Sequence, residues 1–326
     1  MKAITASAPG GPEQLELVHR PDPQPGPGEL LVHIRATAVN RADLLQRRGI
    51  YPPPPGASDV LGLEMAGVIA GLGEGVSGWS VGDQVCAVLA SGGYAEQAVV
   101  PAEMVMPLPP GLDLVEAAAV PEAFTTAWDN LFNRGRLAPG ETVLVHGGAS
   151  GVGTAAIQLA RWRGCEALVT AGSPRKLWLC AELGAKAGIN YREEPDFDAR
   201  ARELTGGRGV DVVLDIIGGP YLARNLHCLA IEGRLVIIGL MGGATAELAL
   251  GQLLTRRLTI TASILRARPV EAKAALARQL VAEVWPGFAD GSLRPVIDRV
   301  LPLAKAAEAH AVMEASEHAG KIVLAV

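Results

Sequence analysis

From about residue 120 the apolar residues come in short unbroken runs separated by mixed stretches, the pattern of buried parallel strands joined by helices. Residues 143–145 form the first run, and a helix is predicted over 154–163 with its stop at Gly164. The second strand covers 168–170, followed by a helix over 176–183 that ends at Gly184. Residues 188–190 make a third strand and 210–217 a long fourth. A helix at 225–230 leads into a fifth at 234–239, and 258–262 is the sixth. Strands and helices in this alternation predict a doubly wound parallel sheet.

Before residue 118 the texture differs. Apolar runs at 29–36, 65–70 and 84–89 are broken by turn signals such as Pro25-Gly-Pro-Gly and Val81-Gly-Asp. That pattern predicts a partly closed β-domain. An amphipathic helix is expected near 270–284, and an apolar terminal strand at 321–326 is expected to return to the first domain. The fold class is α/β. A partly closed β-barrel domain over 1–118 is completed by 267–326, and a doubly wound parallel-sheet domain covers 119–266.

Composition narrows the function. Apolar residues make up 49% of the 326 residues and aromatics only 4%, so the core must be built from Ala, Val, Leu and Ile. The net charge is −5 and no basic stripe is present, which argues against a nucleic-acid partner. No apolar run approaches the ~20 residues of a membrane span. Met1-Lys2-Ala3-Ile4-Thr5 reads as a strand and lacks the pattern of a signal peptide. Cys86, Cys165, Cys180 and Cys228 form no C-x-x-C pair and sit in apolar or helical contexts. They are expected to be free buried thiols of a cytoplasmic protein rather than metal ligands.

The chemistry begins at Val143-Leu-Val-His-Gly-Gly-Ala-Ser-Gly-Val-Gly. A buried strand runs into a glycine-rich turn and then a helix, so backbone N–H groups and the helix N-terminus can meet a pyrophosphate. Gly148, Gly151 and Gly153 are present, but Ser150 stands where the middle glycine of G-x-G-x-x-G belongs. Alone, so degenerate a turn is weak evidence. The second strand ends in Ala171-Gly172-Ser173-Pro174-Arg175-Lys176, without the acid that binds a ribose 2′-hydroxyl in NAD-selective folds. A small residue, a hydroxyl and two cations suit a 2′-phosphate, so NADPH is the expected cofactor. Otherwise Arg175 and Lys176 are solvated residues of the next helix, although cations are unfavourable in a first helical turn.

Several motifs together resemble the zinc-independent quinone oxidoreductase branch of the medium-chain dehydrogenase/reductase superfamily. They are Asn40-Arg-Ala-Asp43, the Tyr51-Pro-Pro-Pro-Pro-Gly-Ala-Ser loop, Gly62-Leu-Glu-Met-Ala-Gly-Val-Ile, Val81-Gly-Asp-Gln-Val and the glycine turn itself. Asp215-Ile-Ile-Gly-Gly, Gly239-Leu-Met-Gly-Gly and Gly320-Lys-Ile-Val-Leu extend the likeness to the C-terminus. The resemblance implies a GroES-like catalytic domain followed by a Rossmann cofactor domain. Zinc-dependent relatives place ligands at the positions of Asn40, Leu63 and Glu122, and Asn and Leu cannot replace thiolate and imidazole there. No metal is expected.

The resemblance also implies site residues. Ser150, Gly151 and Val152 would touch the pyrophosphate, with Gly148 in the turn. Gly172, Ser173, Lys176 and Tyr191 would surround the 2′-phosphate, and Arg175 joins them from the reading above. Gly218, Gly239, Leu240 and Met241 would lie along the cofactor. Ser263, Ile264 and Leu265 would present backbone groups to the carboxamide. Asn40 and Thr126 would flank the nicotinamide, unless Asn40 only makes a local turn and Thr126 only a helix contact. Tyr51 would stack on or hydrogen-bond to the acceptor, or else pack on the proline run. Asp43 and Glu64 would orient Asn40 or relay a proton, or serve structure alone. The implied activity is metal-independent hydride transfer from NADPH to a quinone. The alternatives are an alkenal or enone reductase and a non-catalytic, crystallin-like NADPH-binding protein. A homodimer through the sixth strand of the cofactor domain is also implied.

Overall fold

The computed structural model describes Met1–Val326 and separates into two units, Met1–Thr125 with Leu265–Val326, and Thr126–Ile264. The first unit contains strands β1 (Lys2–Ala6), β2 (Leu15–His19), β3 (Glu29–Ala38), β4 (Glu64–Leu72), β5 (Gln84–Val88), β6 (Gln97–Pro101) and β7 (Met106–Pro107). The second contains β8 (Thr142–His146), β9 (Glu166–Ala171), β10 (Ala187–Asn190), β11 (Val210–Asp215), β12 (Leu229–Ile237) and β13 (Thr259–Ala262). Strands β14 (Ile297–Pro302) and β15 (Lys321–Ala325) belong to the first unit again.

In the first unit β3 is the spine, pairing antiparallel with β4, β6 and β15. Its alternation is that of a half-buried strand: Leu30, Val32 and Ile34 enter a core with Met65, Ile69, Val85 and Ala87, while His33 and Arg35 face water. The terminal strand does return to this domain. Its register places Val323 opposite Ala38, which carries Lys321 to the end of β3, next to Asn40.

The second unit holds a six-stranded parallel sheet in the order β10-β9-β8-β11-β12-β13. Strand order reverses between β8 and β11, and ligands of such sheets bind at the carboxyl ends of the strands beside that reversal. Valine and leucine fill the middle strands on both faces, as the unbroken apolar runs predict.

Element ends differ from expectation for local reasons. The helix after the glycine turn starts at Gly151 rather than 154, because Ser150 caps it. The next helix is Pro174–Glu182, since Ser173 is its cap and Pro174 fits the first turn. Strand β11 stops at Asp215, whose carboxylate accepts from the N–H groups of Ile217 (2.7 Å) and Gly218 (3.1 Å) and bends the chain away. Leu229 and Ala230, expected to be helical, open β12, and the preceding helix is Leu222–Cys228. The helix Pro121–Trp128 passes into a wider turn, Asp129–Arg134, marked by a Gly135 N–H to Asn130 carbonyl bond of 2.9 Å.

Candidate cofactor and acceptor sites

In the second unit the carboxyl ends of the strands carry most residues expected to bind a dinucleotide. Ser150 replaces the middle glycine and is used as a cap: its Oγ accepts from the Gly153 N–H at 3.0 Å. The N–H groups of Gly151 and Val152 remain at the open end of the twelve-residue helix, where anions are stabilised. Gly148 has no room for a side chain, since a Cβ there would lie 2.7 Å from that of Val169. At the end of β9, a Cβ on Gly172 would sit 2.5 Å from the Tyr191 hydroxyl, so the end of the tyrosine side chain packs directly on the bare glycine. Ser173 accepts from the Lys176 N–H at 3.4 Å, which fixes the serine side chain beside Gly172. Arg175 is exposed next to it. No acid occurs between Ala171 and Lys176.

The ends of β11, β12 and β13 add the remaining groups. Burial pushes the Asp215 carboxyl up to about 6, against the two backbone bonds that favour its charge. Gly218 bridges to Gly243. After β12 come Gly239, then Leu240 and Met241 with side chains 55% and 52% exposed, an unusual display of apolar surface. Ser263 follows β13 and donates to Asn130 Oδ1 at 2.7 Å. The amide of Asn130 donates to the Thr126 carbonyl at 2.8 Å. Thr126 and Ser263, far apart in sequence, are thus tied through one buried side chain. Asn130 belongs to no motif in the sequence, and only the wide turn that carries it brings it to Thr126 and Ser263. Ile264 is exposed, whereas Leu265 is buried and belongs to the first unit, against Val88 and Leu276.

In the first unit, three strand ends converge on Asn40. Its Nδ2 donates to Glu64 Oε1 (2.7 Å) at the start of β4 and to the Ala38 carbonyl (3.2 Å) at the end of β3. Its Oδ1 accepts from Lys321 Nζ (2.7 Å) at the start of β15. Lys321 also pairs with Glu64 Oε1 at 2.7 Å, and both side chains are buried. The second Glu64 oxygen accepts from the Glu122 N–H at 2.8 Å. Asn40 is therefore held rigidly by Glu64 and Lys321 as well as by its own turn. Leu63 is buried, and no group of three or more His, Cys, Asp or Glu residues could hold a metal ion.

Asp43 is wholly buried beneath Asn40. Its Oδ2 accepts from the Asn40 N–H (2.7 Å) and the Tyr94 hydroxyl (3.1 Å), and burial raises its carboxyl to about 6. Behind it a chain of polar groups runs from Tyr94 to His310 (3.1 Å) and Arg47 (3.3 Å), and Arg47 then pairs with Glu314. Arg47 can only donate, so His310 accepts at Nδ1 and donates from Nε2 to Tyr94. Asp43 thus reaches Asn40 through the backbone.

Tyr51 is half-buried, and its ring lies under the Arg266 guanidinium, 5.2 Å from ring centre to carbon, not on the prolines alone. Arg266 is fixed by the Tyr51 carbonyl (3.1 Å), the Ala90 carbonyl (2.6 Å) and Gln46 Oε1 (2.5 Å). No protein group bonds the Tyr51 hydroxyl. Neither Arg266 nor Lys321 stood out in the sequence. A lone lysine opening the apolar run Ile-Val-Leu-Ala-Val was the one readable signal, because a charge there must find a partner.

The chain is similar to known dehydrogenases and reductases. The profile of the alcohol dehydrogenase GroES-like domain matches residues 26–110, and that of zinc-binding dehydrogenases matches residues 151–282. Quinone oxidoreductase of Rattus norvegicus is 34% identical over 99% of this chain and 97% of its own. The phthioceranic/hydroxyphthioceranic acid synthase of Mycobacterium tuberculosis is 37% identical over 320 residues, which are 97% of this chain but only 15% of that protein. The chain thus spans about 15% of the length of the first curated relatives it matches. Among solved structures, the quinone oxidoreductase of Escherichia coli complexed with NADPH superposes with a TM-score of 0.90 and 30% identity over all of both chains.

Proposed function

Since this chain belongs to the medium-chain dehydrogenase/reductase superfamily, and resembles its quinone oxidoreductases along its whole length, we propose that it is an NADPH-dependent quinone reductase. The observation that carries this reading is the pairing of two features. One is the acid-free run Gly172-Ser173-Pro174-Arg175-Lys176 at the end of β9, with Tyr191 packed on Gly172. The other is a first unit in which a lysine ammonium, not a metal ligand set, holds Asn40 and Glu64.

The cofactor supplies a hydride. The chain's own residues do the rest. Gly151 and Val152 N–H groups bind pyrophosphate, and Ser173, Arg175 and Lys176 bind the 2′-phosphate. Asn130 fixes Thr126 and Ser263, which with Ile264 orient the nicotinamide. Asn40 and Tyr51 position the acceptor. A quinone is already electron-poor and becomes aromatic on reduction, so positioning by these groups suffices without a Lewis acid. The dimer of this reading forms through β13, an edge strand whose residues are exposed or half-exposed and which is flanked by the exposed Leu250, Leu254 and Ile264. No helix is long and apolar enough to cross a membrane, and all four cysteines are buried and unpaired; we place the protein in the reducing cytoplasm.

NADPH oxidation followed against a panel of quinones and α,β-unsaturated aldehydes and ketones tests this reading. Turnover with quinones supports it. Turnover with the unsaturated carbonyls alone favours an enone reductase, and cofactor binding without any turnover favours a binding protein.

A further inference from the structure

Tyr51 opens a loop that cannot anchor itself. Pro52, Pro53, Pro54 and Pro55 carry no N–H, so four successive backbone donors are missing. Beyond them, the Ala57 N–H turns back to the Pro54 carbonyl at 3.0 Å. On the near side, the Tyr51 N–H reaches the Leu45 carbonyl, in the helix Arg41–Arg47, at 3.2 Å. That bond fixes where the loop starts but leaves the Tyr51 ring to turn between rotamers.

Arg266 supplies what the loop lacks. It lies 215 residues away in sequence and is only 4% exposed. Three of its N–H groups donate to oxygens of three separate segments: the Gln46 amide in the helix Arg41–Arg47, the Tyr51 carbonyl, and the Ala90 carbonyl just after β5. The Gln46 amide is oriented by a second bond, from its Nε2 to Ser91 Oγ at 3.4 Å. The backbone of Arg266 is held as well, since its carbonyl accepts from Lys273 Nζ at 3.4 Å. All three acceptors of the guanidinium are neutral, so no carboxylate among them competes with the Tyr51 ring for the cation. The guanidinium carbon stands over that ring at 5.2 Å from its centre, and such a contact counts most where water is excluded. One buried side chain thus holds Tyr51 by its carbonyl and by its ring, and covers one face of the ring.

We infer that Arg266 is a positioning residue for the acceptor: it acts through Tyr51, holding the ring so that a planar acceptor stacks on the face the guanidinium leaves open. This rests on the reading above that Tyr51 contacts the acceptor. Loss of Arg266 then weakens acceptor binding and spares the cofactor, and it costs nothing more once the Tyr51 ring is gone. Lysine cannot stand in, because a single ammonium does not bond three segments and face a ring in one fixed geometry.

The test joins quinone kinetics to a direct readout of Tyr51, in Arg266→Lys, Tyr51→Ala and the double variant. Protein grown on 3-fluorotyrosine carries four labelled rings, and the Tyr51 fluorine resonance is the one missing from Tyr51→Phe. In Arg266→Lys that resonance should shift or broaden, while those of Tyr191 and Tyr221 in the other unit stay in place. Arg266→Lys should raise the Michaelis constant for quinones roughly two- to tenfold, the worth of a misplaced aromatic contact, with kcat and NADPH affinity little changed. Added to Tyr51→Ala, it should cost less than about twofold in kcat/KM, since two residues that act through one contact are not additive. Where Arg266→Lys does not fold, Gln46→Ala takes its place with the same expected signs, because it removes one acceptor and leaves the charge. With wild type active, an unmoved Tyr51 resonance, unchanged quinone kinetics, or a loss that persists in full beside Tyr51→Ala overturns the role of Arg266 alone. No wild-type turnover with any quinone overturns both this role and the reading it rests on.

Discussion

Lys321 and Glu64, at the starts of two strands that do not pair with each other, meet at 2.7 Å in the interior, and the same ammonium holds the side-chain oxygen of Asn40. A buried pair of this kind adds little net stability when intact, but loss of one partner strands the other charge. Lys321→Met should therefore destabilise the protein by about 3–5 kcal/mol, read by urea unfolding. Glu64→Gln added to Lys321→Met should recover part of that loss. An additive double variant would show that the two side chains do not depend on each other.

Cofactor choice should follow the end of β9. Wild type should have a lower Michaelis constant for NADPH than for NADH. Lys176→Ala should weaken NADPH by roughly ten- to a hundredfold, as expected for one charge-assisted contact of ~1.5–3 kcal/mol, with NADH little changed. Equal constants for the two cofactors in wild type would remove the basis for the phosphate assignment.

Asn130→Leu keeps the size of the side chain but deletes the bonds to Thr126 and Ser263. Stability should fall by about 1–3 kcal/mol, since buried polar groups are left unpaired. NADPH affinity, measured by titration at a temperature where the variant is folded, should fall as well. Unchanged affinity would make Asn130 a packing residue only.

Tyr51→Ala should lower kcat/KM for quinones about tenfold, the worth of an aromatic contact with a planar acceptor. Tyr51→Phe keeps the ring under Arg266 and should retain most of the activity. A loss of activity in Tyr51→Ala that only tracks a fall in melting temperature would assign the ring to the fold.

Burial lowers the pKa of His310 to about 3 and that of His146 to about 4, from 6.5 in the unfolded chain. Both imidazoles are neutral in the native state, so their contribution is present above pH 6.5 and is lost as the pH falls below it, where the unfolded chain takes up protons. The stability difference between wild type and His310→Gln should narrow by about 1.4 kcal/mol per pH unit between pH 6 and 4. A constant difference over that range would show that His310 is protonated in the folded protein.

Much of this architecture was legible in the residues. Unbroken apolar runs mark the parallel strands, because helices cover both faces of that sheet, and Gly164 and Gly184 mark helix ends because they alone take the left-handed turn cheaply. Element starts were less legible. Ser150 and Ser173 draw their helices back to the cap, and Asp215 ends its strand early, in each case through a side chain bonding its own backbone rather than through periodicity. The acceptor region was harder still. Asn40, Glu64, Glu122, Arg266 and Lys321 come from five distant parts of the chain, and the register of β15 on β3, which brings Lys321 to Asn40, is set by pairing that no local pattern encodes.

The central claim is hydride transfer from NADPH to a quinone on this chain. It is tested most directly by a single-turnover experiment in which protein loaded with NADPH is mixed with 1,4-benzoquinone, and repeated with NADPH carrying deuterium at the transferred position of C4. The account predicts loss of reduced cofactor in one phase, formation of one hydroquinone per NADPH, and a slower phase with deuterium. Bound NADPH that stays reduced in the presence of the quinone, or is oxidised no faster than in free solution, would contradict it.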